Sequence, residues 1–344
     1  MKRIVFPVLA LLTLLIASCS EDFSTAAPYK TVTFIYGMLD MGDTAHYIRI
    51  EKAFLDQTQS ALVLAKNPDS VFIPNLDVKV KVINGGILVN TITLSKVDLN
   101  NEGYPKDTSG QFFSSPNYAY KFKDALNPQY TYRLVVYNPN TGETDSAESP
   151  VISNDPNDFS IPYFQNTSSM IDIAQTTLSN NFNKVAGSVP PGAAMFEGII
   201  RFHWKDKNNA SGTETDQSAD WNFANTNQAS GIFQLTVSNL QFYSGIRNSL
   251  GTAPTGYGRE LGNCDIIVWA GSQELYNYQV ITSTQANSLT SDEVKPNYTN
   301  IKGKNVLGLF ASRTMIKDLS VPFTQASLDS IRNNSITVPC NILP

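Results

Sequence analysis

The chain has 344 residues, 25 Lys plus Arg against 30 Asp plus Glu, and a formal net charge of -5. That length is enough for two domains with cores of their own, on a prior of roughly 100 to 200 residues each. No basic cluster is present, which argues against nucleic acid as a partner.

The chain opens MKRIVFPVLALLTLLIASCSED. Lys2 and Arg3 precede an almost unbroken apolar run from Ile4 to Ile16, the pattern of a signal peptide. The run is about 13 residues, well short of the roughly 20 that a helix needs to cross a bilayer. Ile16-Ala17-Ser18-Cys19 resembles the lipobox of bacterial lipoproteins, in which the cysteine is lipidated and becomes the first residue of the mature chain. The small side chains of Ala17 and Ser18 suit a signal peptidase cleft; the alternative is a plain secretory signal that contains a cysteine. The expectation is a signal peptide over 1 to 18 and a lipidated Cys19 anchored in the outer membrane, each buried CH₂ of its acyl chains contributing about 0.8 kcal/mol. Loss of Lys2 and Arg3 would take the charge from -5 to -7. Ser20-Glu21-Asp22 resembles the acidic tag that directs lipoproteins of the Bacteroidota to the outer face of the outer membrane, against the alternative of an acidic linker with no sorting role. Ser24 to Tyr29 is too poor in apolar residues to pack, so 19 to 30 reads as a tether.

Beyond the tether the strand signal dominates. Thr31 to Tyr36 and Tyr130 to Tyr137 are β-branched and aromatic runs of strand length, and Asp77 to Val82 alternates strictly, with Val78, Val80 and Val82 on the core side. Gly85-Gly86 separates Val78 to Ile83 from Ile87 to Leu94, and Asn138 to Gly142 is turn chemistry that folds the preceding strand back into Glu143 to Ala147. Residues 31 to 152 are therefore expected to form an immunoglobulin-like antiparallel β-sandwich of about seven strands. Ser153 to Ser160 is the expected boundary with a second β-rich domain over 158 to 344.

In that second domain Phe196 to Lys205 alternates, placing Phe196, Ile200, Phe202 and Trp204 on one face and Glu197, Arg201, His203 and Lys205 on the other. A polar insertion, 206 to 231, follows; it is too long for a routine hairpin loop. Trp221 and Phe223 within it, among amides and hydroxyls, suit contact with a glycan or peptide, unless both rings tuck back on the domain. Its Asp206, Asn208 and Gly212 faintly suggest a calcium loop, but Gln217 stands where the bidentate Glu belongs. Ile232 to Leu240, Asp265 to Trp269 and Val306 to Arg313 read as strands. Ser272 to Ala286 and Thr324 to Asn333 are the two helix candidates, the first with Ser272 as N-cap and Glu274 in its first turn. Cys264 and Cys340 either pair in an oxidising compartment, closing a loop of about 75 residues worth some 4 kcal/mol, or stay separate buried thiols.

Ile35 to Leu39, the block Asp43 to Leu55 containing HYIRIEKAFL, Tyr298 to Ile301 and Gly308 to Arg313 together resemble a Bacteroidota lipoprotein family known as a domain of unknown function and often encoded beside TonB-dependent outer-membrane receptors. The resemblance runs from about 30 to 315 and implies a neighbour, not a chemistry. The residues agree: H-E-x-x-H, C-x-x-C, G-x-S-x-G, S-x-x-K and P-loop patterns are all missing, so no catalytic residue, metal or cofactor is expected. His46 reads as a strand-end core histidine and His203 as a solvated one. A carboxylate pair of glycosidase type leaves no fixed spacing to search for. Three readings follow: a non-enzymatic accessory or ligand-capturing partner of a TonB-dependent receptor, a surface adhesin or structural interaction module, and a surface hydrolase.

Overall fold

The computed structural model describes residues 31–53, 60–164, 170–174, 182–227, 231–287 and 298–344. The fold is mainly β with a few helices, as expected. Alternation became burial where the sequence is most regular. β1 (Thr33–Asp40) and β2 (His46–Lys52) turn Ile35, Leu39, Ile48 and Ile50 inward, and β3 (Asp77–Asn84) buries Val78, Val80 and Val82. β4 (Ile87–Thr93) follows through Gly85 and Gly86, at φ 56 and 85, the left-handed pair that a tight hairpin turn demands. After β5 (Ser95–Asp98) and β6 (Tyr118–Phe122), the expected hairpin joins β7 (Thr131–Asn138) to β8 (Glu143–Pro150).

The remaining strands are β9 (Tyr163–Phe164), β10 (Phe182–Ser188), β11 (Ala193–Asn208), β12 (Glu214–Thr226), β13 (Ile232–Ser238), β14 (Tyr257–Ser272) and β15 (Val306–Val321). Three helices of eight residues or more accompany them among the described residues: α1 (Asn239–Leu250), α2 (Gln273–Asn287) and α3 (Gln325–Asn333). α2 and α3 lie where the two helices are expected, and at the start of α3 the Thr324 hydroxyl accepts a hydrogen bond from Ser327 N–H. α1 was hidden under a strand expected to run to Leu240. Ser238 ends that strand because its hydroxyl accepts from Gln241 N–H while the Gln241 side chain accepts from Ser238 N–H, a reciprocal cap that starts a helix.

The largest departure is in the sheets. One eight-stranded sheet runs β12-β11-β14-β15-β1-β2-β6-β5, joined by a four-stranded sheet β4-β3-β7-β8 and a three-stranded sheet β13-β10-β9. β1 and β15 pair in parallel from Thr33↔Val306 to Asp40↔Arg313, so the long sheet passes straight through the boundary expected at 153 to 160. The strands of 31 to 152 do not close a sandwich by themselves: Ile301, Val306 and Phe310 complete their core. A parallel pair between segments this far apart leaves no local trace, because its crossover is most of the chain.

Along β15, Phe310 and Ile316 share one side of the strand; Phe310 belongs to the first core and Ile316 to the second. Both small sheets therefore cover the same face of the long one. The second core centres on Phe196, Phe202, Phe233 and Phe242, all fully buried, each contributing about 1.5–3 kcal/mol by leaving water.

The insertion 206 to 231 is a second correction. It is mostly β12, paired with β11 from Phe196↔Thr226 to Lys207↔Glu214. The turn closes on Asn208, whose side-chain oxygen accepts from Ala210 and Ser211 N–H, with Gly212 at φ 70.

Candidate functional site

With both small sheets on the inner face, the outer face of the long sheet is met by α2 at the β11–β14–β15 end and by Val71, Lys106 and Phe112 at the β1–β2 end. Tyr276, Gln279 and Val280 stand at i, i+3 and i+4 on α2, hence on one stripe of the helix. They face the end of β12. Together with Met195, Asn225, Thr226 and Asn227 they enclose a cavity of about 440 Å³. A further recess of about 200 Å³ shares Met195 and Gln279 and continues along the sheet past Glu197, Ile199 and Trp269 to Met38 and Arg313. The two form one groove.

Its walls are tied by polar contacts. Asn227 Nδ2 donates to the Tyr276 hydroxyl at 2.9 Å, linking strand to helix, and the Asn222 amide donates to the Glu197 carboxylate. The Arg313 guanidinium sits 4.5 Å from the centre of the Trp269 ring and pairs with Asp40 at 3.5 Å, which fixes the Trp269 end of the groove. Burial raises the Asp40 carboxyl above its ordinary range, against the opposing pull of Gly42 N–H and Arg313.

The residues singled out from sequence fall elsewhere. Cys19 and Ser20-Glu21-Asp22 lie outside the described residues. Trp221 and Phe223 are not ligand contacts: both point inward. Trp221 stacks on Phe202 at 6.1 Å and meets Phe242 edge-on at 5.5 Å, and Phe223 is buried against Gly198. The signal was present in the alternation, since Ala219, Trp221 and Phe223 share one parity and Asp220 and Asn222 the other. Asn225 to Asn227 on the same strand, and the stripe on α2, carry no motif that marks them.

Cys264 and Cys340 are both free thiols, buried in the same apolar core, so of the two alternatives the structure has separate thiols and no disulfide between them. Burial pushes both thiols up in pKa, Cys264 far above its ordinary value. Each acts as a small apolar filler.

His46 is the core histidine expected, its ring tilted 39° to that of Phe122 with centroids 4.8 Å apart and its Nε2 at 3.3 Å from the Asp124 carbonyl. His203 stands on the outer face but is not merely solvated: its Nε2 is 2.9 Å from Asp265 Oδ2. Burial alone would raise the Asp265 carboxyl; Ser320 N–H and His203 outweigh it and hold it below the usual range. Ser218 stands opposite His203 in the β11–β12 ladder. Among the described residues no hydrogen bond joins the two, and no three His, Cys, Asp or Glu side chains gather as a metal site. Nor is any described helix long and apolar enough to cross a membrane.

The chain matches no protein-family model and no curated protein.

Proposed function

We propose that this chain is a surface-exposed, lipid-anchored outer-membrane protein that acts without catalysis, as an accessory or ligand-capturing partner of a TonB-dependent receptor. The observation that carries this reading is the opening segment: a basic start, a short apolar run and small residues immediately before Cys19, with Glu21 and Asp22 just beyond. Acyl chains on Cys19 would hold the protein at the membrane without a spanning helix. From Cys19 to the first strand the thirteen intervening residues reach at most about 47 Å when extended, which keeps the β body close to the bilayer and to any neighbour in it. The likeness of HYIRIEKAFL and the later blocks to a receptor-associated lipoprotein family supports the choice of neighbour, and the broad groove on the outer face of the long sheet supports ligand capture.

Metabolic labelling with a fatty acid tests the anchor. The wild-type chain should take up label and fractionate with outer membranes, and Cys19→Ala should do neither. Co-purification from detergent-extracted native membranes tests the partner. A receptor barrel should be recovered with the wild-type chain; recovery of the chain with no barrel would reject the partnership.

A further inference from the structure

We infer that the groove between the end of β12 and α2 is a binding site for a neutral glycan. The inference deepens the ligand-capture reading and rests on it for the place where the ligand is met, but the binding itself belongs to the folded chain. At about 440 Å³ the main cavity is in the usual range of small-ligand sites. Among the described residues, none of its lining side chains is ionised at neutral pH. The amides of Asn225, Asn227 and Gln279 and the hydroxyl of Tyr276 each donate and accept hydrogen bonds, which matches sugar hydroxyls that also do both. Met195 and Val280 supply the apolar surface that the C–H side of a sugar ring needs, and Trp269 adds aromatic area where the groove continues.

Other ligand classes fit less well. Among the described residues the main cavity has no cation for a phosphate or carboxylate and no carboxylate for a metal ion, and a purely apolar ligand would strip water from its amides and the Tyr276 hydroxyl without replacing their hydrogen bonds. An extended peptide would find its backbone partners along the open edge of β12, the last strand of the long sheet, whereas this groove opens on the sheet face.

Calorimetric titration of the purified full chain with maltotetraose, cellotetraose, mannotetraose and N-acetylchitotetraose tests the assignment, with oligogalacturonate and an Ala-Asn-Gly-Ala peptide as contrasts. At least one neutral tetrasaccharide should bind, with an affinity that changes little between low and high salt. Asn225→Ala and Gln279→Ala, both at exposed positions, should each weaken that binding about tenfold or more with the melting temperature unchanged. Asp220→Ala, on the same face but outside the groove, should leave it intact. Binding to none of the four neutral sugars, binding only to oligogalacturonate or the peptide, or binding that survives both groove substitutions would overturn the inference. The anchor and receptor readings fail separately, on labelling and co-purification, whatever the titration returns.

Discussion

The two faces of the β11–β12 hairpin use the same ladder for opposite ends. On the inner face Phe202, Trp221 and Phe223 interlock with α1 so closely that a Cβ on Gly245 would come within 2.5 Å of the Trp221 ring. On the outer face Arg201 and Asp220 form a two-pronged ion pair at 2.6 and 2.9 Å, in contact with water, and Asn225 and Glu197 border the groove. Two residues of adjacent number, Asp220 and Trp221, are thus expected to differ by a few kcal/mol in what they do for stability. An aromatic residue amid polar neighbours is a poor pointer to a binding surface when its strand has a buried side.

Breaking the inner face should have the largest effect. Trp221→Ala removes a ring from a packed core and is expected to cost about 3–5 kcal/mol in denaturant unfolding; a loss under about 1 kcal/mol would mean that the ring is not core. Gly245→Ala should lower stability by about 1–3 kcal/mol through overpacking, even though alanine favours helix, and Trp221→Phe in the same chain should recover part of the loss, a coupling that a double-mutant cycle measures.

Asp145 extends the contrast to a charge, because it lies on the inward side of β8 with Ala147. Burial, with help from Glu143, pushes its carboxyl up to about 6 against an ordinary 3.8, while Lys304 N–H pulls the other way; Oδ1 has no hydrogen-bond partner. The folded state therefore holds this proton more tightly than the unfolded one. The Asp145 contribution to stability is greatest below pH about 4, falls as pH rises toward about 6, and is level above. Solvent on the open side of the group limits the swing to about 1–2 kcal/mol. Asp145→Asn should flatten that slope in a series of melts from pH 4 to 7 and raise stability at pH 7.

The outer face should respond least. Asp220→Ala breaks the exposed pair with Arg201 and is expected to cost under about 1 kcal/mol, less still at high salt. An effect comparable to Trp221→Ala would erase the distinction between the faces.

Much of the architecture was legible because short-range rules decide it. Strict alternation in Asp77 to Val82, the Gly85-Gly86 turn, the hairpin after Tyr137 and the helix expected from Thr324 each depend on nearby residues, and each was found where expected. The insertion was misread because β12 is an edge strand whose exposed residues are nearly all polar, so its strand character comes from pairing with β11 instead of from its own composition. The groove was illegible for a related reason: Asn225 to Asn227 and Tyr276 to Val280 become neighbours only after α2 folds back over the outer face.

By itself, then, the sequence determined which segments extend, which side of each strand is apolar, and where two of the helices begin. Tertiary structure alone decided that β1 pairs with β15, that two small sheets share one face of a single long sheet, and that amides and aromatics from distant segments line one groove. A two-residue period tells a strand which side to bury but is silent about which strand lies beside it; that choice belongs to packing across the whole chain.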